Sequence, residues 1–353
     1  MIVVLDYVRL KISIPPIYIK TELWKRYKYP NRWGVMMPWY RTNIRKIKLS
    51  YSVENQTMYI YGRIINLITE NSYMNFDDLG NFELVRDHFI KKANALISSK
   101  LKDYNFDILK TTVTQIEYSY NINFKNKDKY IEFLNLIYIK NINGKFKKYK
   151  DFTVQNSKEI NSSFYLKTNG DYDKNTLINF CLNIYNKSLQ MNDKRDKNIV
   201  NYHKSNIKTE DIAKAKNILR IECKVGYEYL HKICKTFKIK NSFDNLFNTT
   251  IAQYAICHQL KRFFGAGDFY SKKTAEKIIA DNNLKINLDI PIGELSEYKY
   301  KKFRKELEKL GICPYGFIPE EWGISKMDNP IKLILNKDKV PQPSGTERKN
   351  YDQ

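Results

Sequence analysis

Apolar and polar residues alternate along several short runs of this chain, the period-two signature of strands with one buried face. Residues 2–14 alternate until Pro15-Pro16 stops them. The stretch YRTNIRKIKLSYSVENQTMYIYGRIINL reads as two strands joined by a polar turn at Glu54-Asn55-Gln56, with Gly62 near the end of the second. TTVTQIEYSYNINF alternates strictly. It sets Thr112, Thr114, Ile116, Tyr118, Tyr120 and Ile122 on one face and Gln115, Glu117 and Ser119 on the other. SSFYLKT and LINFCLNIYNK flank Asn169-Gly170, a strong hairpin-turn signal, and the second arm places Tyr185 and Lys187 on one face. In ILRIECKV, Leu219, Ile221, Cys223 and Val225 oppose Arg220, Glu222 and Lys224.

Helical spacing interrupts and then replaces this pattern. Between Asn75 and Leu101, Phe82, Val85, Phe89, Ala93 and Leu96 recur at threes and fours, and a second helix is expected over Asp128 to Ile139. A lysine-rich loop follows around Gly144, and Lys187 to Lys208 reads as a polar loop or solvated helix. From Tyr227 onward YEYLHKICKTF, TTIAQYAICHQLKRFF, TAEKIIADNN and LSEYKYKKFRKELEKLG are all helical. The last carries a Tyr300, Phe303, Leu307 and Leu310 stripe closed by Gly311. RFFGAGD reads as a helix-ending glycine turn, because no strand feeds it as a phosphate loop requires. SKKTAEKIIADNN opens a helix at Ser271 that reads as a surface helix, with docking on DNA as the other reading. The expectation is an α+β protein. Residues 1–226 form a catalytic region on an antiparallel sheet with flanking helices, 227–336 form a helical, DNA-gripping region, and 337–353 form a disordered tail.

Charge changes the picture most. The chain of 353 residues carries 61 Lys+Arg against 38 Asp+Glu, a net charge of +23. A polyanion is the expected partner, nucleic acid first and an anionic membrane surface second. The 27 tyrosines accompany an abundance of Lys, Asn and Ile, as codon bias toward AT produces, so a tyrosine by itself says little. No apolar run reaches the length of a membrane span, and Asp6, Arg9 and Lys11 interrupt the apolar N-terminus, which argues for a strand over a signal peptide. Five cysteines without a CxxC pair suit a reducing cytoplasm and do not suit zinc. With four histidines and no His-x-His on a strand, any metal site must be built from carboxylates.

Three strands place Glu117, Tyr185 with Lys187, and Arg220 with Glu222 and Lys224 opposite apolar faces. As neighbours in one antiparallel sheet they would gather carboxylates, a phenol and cations on its solvent face. Such a group has the parts to cut a DNA strand. A tyrosine attacks the phosphodiester, carboxylates hold Mg²⁺ or Mn²⁺, and a lysine or arginine steadies the phosphorus. The plain alternative is a wet sheet face. Lys261 and Arg262, beside Phe263 and Phe264, are either DNA contacts or solvated cations next to core rings.

Taken in order, IVVLDYVRLKI, MYIYGRI, VTQIEYSYNI, NFCLNIYNKSLQM, NILRIECKVGYEYLHKI, RFFGAGDFY and FRKELEKLGI resemble the motifs of the phage and plasmid gene II/X family of replication proteins. The likeness spans the chain to about residue 335, and Glu117 stands where that family usually has aspartate. It implies a site-specific endonuclease that nicks one origin strand, starts rolling-circle replication and later rejoins the displaced strand. It also implies Tyr185 as nucleophile, Glu117 and Glu222 as metal ligands, and Lys187 and Arg220 on phosphate. Tyr227 and Tyr229 are rival nucleophiles, and Tyr118 and Tyr120 weaker ones. The expected partners are duplex origin DNA, the nicked single strand, and a host helicase and polymerase. Two other readings stay open: an initiator or repressor that binds an origin without cutting, and an RNA- or membrane-surface-binding protein.

Overall fold

The computed structural model describes residues 4–31, 33–45, 47–68, 82–137, 146–155, 158–168, 180–192, 213, 215–289 and 295–335. Among these, alternation produces one antiparallel sheet of ten strands. They are β1 (Val4–Ser13), β2 (Lys25–Pro30), β3 (Met36–Ile44), β4 (Ile47–Ser52), β5 (Thr57–Arg63), β6 (Thr112–Asn123), β7 (Phe146–Gln155), β8 (Lys158–Thr168), β9 (Phe180–Asn186) and β10 (Ile218–Gly226). Their order is β2-β3-β4-β5-β1-β6-β10-β9-β8-β7. The strands that carry the candidate chemistry, β1, β6, β10 and β9, are therefore consecutive at the centre.

Each alternating run sends its apolar set to the same side. Val8 and Leu10 of β1, Met58 and Ile60 of β5, Tyr118 and Tyr120 of β6, Ile221 and Cys223 of β10 and Leu182 of β9 are all buried there. Against that side pack α2 (Lys127–Leu136), α4 (Tyr227–Phe237) and α6 (Thr249–Phe264). The helix α1 (Phe82–Ser98) and the short α5 (Phe243–Leu246) join them through Phe89, whose ring lies 6.3 Å from that of Phe243 and 5.7 Å from that of Phe247. Full burial of each such side chain contributes roughly 1.5–3 kcal/mol. One apolar cluster thus runs from Leu5 to Ile334, and helices after residue 226 share it with strands before it.

A smaller cluster joins α7 (Lys272–Asp281) to α8 (Glu297–Lys309) through Ala275, Ile279, Phe303 and Leu307. The stripe read from the sequence faces inward, and Gly311 at φ 72° closes α8. Ser271 caps α7, accepting from the Thr274 amide. The RFFGAGD segment is the glycine turn its composition suggests. Gly265, at φ 65°, ends α6, and Gly267 lies against the backbone of Ile312 and Cys313. Two short strands, β11 (Phe269–Tyr270) and β12 (Lys326–Met327), and a last helix, α9 (Pro330–Leu335), complete this region.

Several boundaries differ from the sequence reading. The segment from Tyr40 to Leu67 holds parts of three strands: a turn with Arg45 at φ 53° splits β3 from β4. The strand β2 and the start of β3 lie in a stretch that the alternation does not single out, and Pro30 ends the edge strand β2. At the sheet's rim a proline costs little. β7 was concealed by its lysines. Asn169-Gly170, residues 75–81 and the tail 337–353 lie outside the described residues.

A methyl group on Gly267 would stand 2.4 Å from the Ile312 carbonyl carbon and 2.6 Å from the Cys313 nitrogen. We expect Gly267→Ala to cost about 1–3 kcal/mol through overpacking. Urea denaturation would register it as a lower midpoint at unchanged slope.

Candidate active site

The central strands align their polar residues in rows. Tyr7, Glu117, Lys224 and Cys181 are cross-strand partners through β1, β6, β10 and β9. The next row is Ser119, Glu222 and Asn183, and the next Asn121, Arg220 and Tyr185. Strict alternation would send Asp6 to the apolar side with its neighbours reversed. Leu5 instead pairs with Tyr118 and Tyr7 with Glu117, so Asp6 is the extra residue of a β-bulge. Bulges re-aim side chains in this way.

The result is a cluster of three carboxylates, Asp6, Glu117 and Glu222, with one oxygen from each mutually within 4.8 Å. Cations interleave with them. Arg220 donates from Nε to Glu222 Oε1 at 2.6 Å and from Nη2 to Asp6 Oδ2 at 3.0 Å, and Arg63 Nε donates to Asp6 Oδ1 at 2.5 Å. Lys224 Nζ lies 2.9 Å from Glu117 Oε2. The Tyr185 hydroxyl donates to Glu222 Oε1 at 2.6 Å. Lys187 lies beside them, its Nζ 5.9 Å from the Tyr185 ring centre and 3.2 Å from Gln190 Oε1.

This is not the wet face that the alternation suggested. Arg220 is 0% exposed, Tyr185 3% and Lys187 5%. Nor is Lys187 on the strand with Tyr185: β9 ends at Asn186, and Lys187 opens a helical turn, α3 (Lys187–Asn192). The Asn186 side chain caps that turn by accepting from the Ser188 and Leu189 amides.

Burial and charge push the ionisable groups in opposite directions. For Asp6, burial favours the neutral acid, but Arg63, Arg220 and Lys187 overcome it and hold the carboxyl well below the usual range. Burial lifts Glu117 to about 7; Lys224 opposes this, and the charges on Glu222 and Asp6 add to it. Burial pushes the Tyr185 phenol well above its ordinary value. Burial also lowers Lys187, helped by Arg220 and Arg63. The cluster is thus polarised, electron-rich around Glu117 and crowded with positive charge around Arg63, Arg220 and Lys187.

The carboxylate end fits a divalent cation. Its donors are the hard oxygens that Mg²⁺ and Mn²⁺ prefer, and three carboxylates meet there within reach of one ion. The guanidinium end fits an anion. Arg63 Nη2 and Arg220 Nη1 are buried and have no hydrogen-bond partner among the described residues, a condition that ordinarily costs about 1–3 kcal/mol per group.

Six of the residues singled out from the sequence come together here: Glu117, Tyr185, Lys187, Arg220, Glu222 and Lys224. Lys261 and Arg262 do not. They occupy the last turn of α6, whose buried residues pack on the opposite, apolar side of the sheet. Arg262 lies over the Phe263 ring at 5.5 Å. Of the rival tyrosines, Tyr118 lies on that apolar side with its hydroxyl on the Leu246 carbonyl, and Tyr229 is bonded to His258 Nδ1 at 2.6 Å. Tyr227 opens α4 and is half exposed. Two members escape a sequence reading. Asp6 shows there as a charge interrupting an apolar run and as the early aspartate of the first family-like motif, without a role, and Arg63 only as the residue after Gly62.

No protein-family model matches the chain, and no curated protein matches it. Among solved structures it is similar to one titled "Structure of Rolling Circle Replication Initiator Protein from Geobacillus stearothermophilus". The identity is 8% and the TM-score 0.31, over 90% of this chain and 100% of that one. Two backbones that agree so loosely lend each other no argument. No helix among the described residues is long and apolar enough to cross a membrane.

Two measurements follow from this geometry. Arg220→Ala strands Asp6 and Glu222 in a buried site and should cost about 3–5 kcal/mol by chemical denaturation. Tyr185→Phe, which removes one hydrogen bond, should cost only about 1 kcal/mol. A metal-binding Glu117 must first lose a proton, which it holds below about pH 7. Calorimetric titration with Mn²⁺ should therefore show affinity falling as pH drops below that value and levelling off above it. Glu117→Gln should remove the pH slope.

Proposed function

We propose that this chain is a DNA-nicking and strand-joining enzyme that initiates rolling-circle replication of a phage or plasmid. The observation that carries the reading is the convergence, on five adjacent strands, of a phenol, three carboxylates and two arginines whose spare donors have no partner among the described residues. The resemblance of the ordered motifs to the gene II/X replication proteins supplies the reaction.

In this reading the Tyr185 oxygen attacks a phosphodiester of one origin strand. Its proton passes to Glu222, which already accepts its hydrogen bond. The new oxygen–phosphorus bond forms as the bond to the 3′ oxygen breaks, which leaves a 5′ phosphotyrosine and, once protonated, a 3′ hydroxyl. Arg63 and Arg220 would offer their spare N–H groups to the developing charge, and Lys187 lies beside them. A Mg²⁺ or Mn²⁺ ion held by Asp6, Glu117 and Glu222 would supply further charge neutralisation at the phosphate. The reverse attack, by a 3′ hydroxyl on the phosphotyrosine, rejoins a strand with no external energy. Duplex origin DNA and the nicked strand are the substrates, and a host helicase and polymerase would use the 3′ hydroxyl.

A second reading has an observation of its own. Every carboxylate of the cluster already has a guanidinium or ammonium partner, as in a purely structural network. On that view the chain binds an origin as an initiator or repressor without cutting it.

A supercoiled plasmid carrying the chain's own replicon, incubated with Mg²⁺ or Mn²⁺ and run with SDS, separates the two. The nickase reading expects nicked circles and a covalent adduct from the wild type, and expects Tyr185→Phe to lose both by more than about 100-fold. Cutting by both proteins would move the nucleophile to Tyr227 or Tyr229. Origin binding by both with no cutting under either ion would establish the non-catalytic initiator.

A further inference from the structure

The sheet face that holds the cluster continues onto β5, β4, β3 and β2, and there it changes character. Along β1, Tyr7, Arg9 and Lys11 alternate on this face opposite Arg63, Tyr61 and Tyr59 of β5. Beyond them an aromatic series crosses the sheet. Ring centres lie 6.0 Å apart from Tyr61 to Tyr59, 5.9 Å to Trp39, 6.0 Å to Tyr29 and 6.5 Å to Tyr27. Arginines sit on these rings. Arg9 lies 4.8 Å from the centre of Tyr61, and Arg41 lies 5.1 Å from Tyr27 and 4.8 Å from Tyr29. Tyr61, Trp39, Tyr29 and Tyr27 border an open groove of about 1270 Å³ that Lys25 and Lys48 also line, with Glu54 as the acid on its wall.

These aromatics are not core. The core of the same strands is on the other side, where Leu49, Met58 and Ile60 are fully buried. Tyr27, Tyr29 and Trp33 are instead exposed. The groove is larger than the roughly 300–1,000 Å³ usual for small molecules. Its chemistry, flat rings alternating with guanidinium and ammonium groups, is that of a surface which stacks bases and tracks phosphates. The rings stand wider apart than the roughly 3.4 Å between stacked bases of a duplex strand. They suit bases already unstacked.

We propose that this groove binds single-stranded DNA. We add that it leads the strand along β1 and β5, from Arg9 and Tyr61 to Asp6 and Arg63 two or three residues further along. The second part rests on the nicking reading; the first does not. Each guanidinium carbon lies within 5.1 Å of a ring centre, and a guanidinium's five N–H donors match phosphate geometry.

The test uses the full chain and a labelled oligothymidylate of about 20 nucleotides, followed by anisotropy at fixed salt. Matched duplex and phosphatidylserine vesicles serve as competitors. Tyr27→Ala with Tyr29→Ala should weaken binding by about fivefold or more while the melting temperature holds, since both side chains are exposed. Arg41→Ala should weaken it and lower the salt slope by about one. Tryptophan fluorescence, quenched by unlabelled oligothymidylate in the wild type, should lose that quenching in a Trp33→Phe, Trp39→Phe double variant.

Binding unchanged in these variants would overturn the proposal. So would equal competition by duplex, which would make the groove a duplex surface, or by vesicles, which would make it a membrane surface. The nicking assay keeps the two readings apart. Loss of oligothymidylate binding in the groove variants, in a protein that never cuts, leaves the groove standing and removes catalysis alone.

Discussion

The centre of the molecule depends on one buried guanidinium. Arg220 has no exposed surface, and it bonds Asp6 on one strand and Glu222 on its own. Removing three charges from water costs several kcal/mol per ion, and mutual attraction repays that only when the geometry is good. The sheet supplies the geometry. Asp6 reaches Arg220 across the intervening β6 because a bulge re-aims it. Tyr185 reaches Glu222 diagonally because their rows are adjacent in β9 and β10. Asp6, Tyr185 and the Arg220–Glu222 pair come from different parts of the chain, so the cluster forms only when the whole central sheet does.

The sheet is what makes both faces useful. Its apolar side is satisfied by helices, among them those from residue 227 onward, which share one core with the strands. The other side is therefore free of packing duty and can concentrate charge at the centre and aromatic rings toward the β2 edge. That edge strand is exposed at every position and carries Lys25, Arg26 and Lys28. Cations on a rim discourage pairing with another sheet, and here they also extend the positive field of the groove.

Much of this was legible in the sequence, and the reasons for the rest are physical. Period-two alternation exposed β1, β6, β9 and β10, because a half-buried strand must alternate, and it placed Glu117, Arg220, Glu222 and Tyr185 on one face correctly. Alternation cannot reveal a bulge, since a single extra residue looks like noise, and so Asp6, noted as an early aspartate, was given no role in the site. It cannot see the end of a strand when the following helix begins with an equally polar residue, and Lys187 was assigned to the strand for that reason. Nor does it give depth. A charged face reads as wet, whereas this one is buried with its charges paired. The strand β2 and the start of β3 carry no alternation strong enough to be read, and β2, which ends in Pro30, is the edge strand where a proline is tolerated.

The polarisation of the cluster constrains how such a site would be filled. Burial holds a proton on Glu117 to about pH 7, with the charges of Glu222 and Asp6 adding to it, and burial depresses the Lys187 ammonium, with Arg220 and Arg63 adding to that. Neither end is at rest. A cation would relieve the first and an anion the second, and each, once bound, would strengthen the site for the other by simple attraction. On the nicking reading, a phosphodiester beside a divalent ion would satisfy both ends at once. Binding would then exchange Lys224 for metal on Glu117 and give the spare N–H groups of Arg63 and Arg220 their first acceptors, with no need to unpack the apolar side of the sheet.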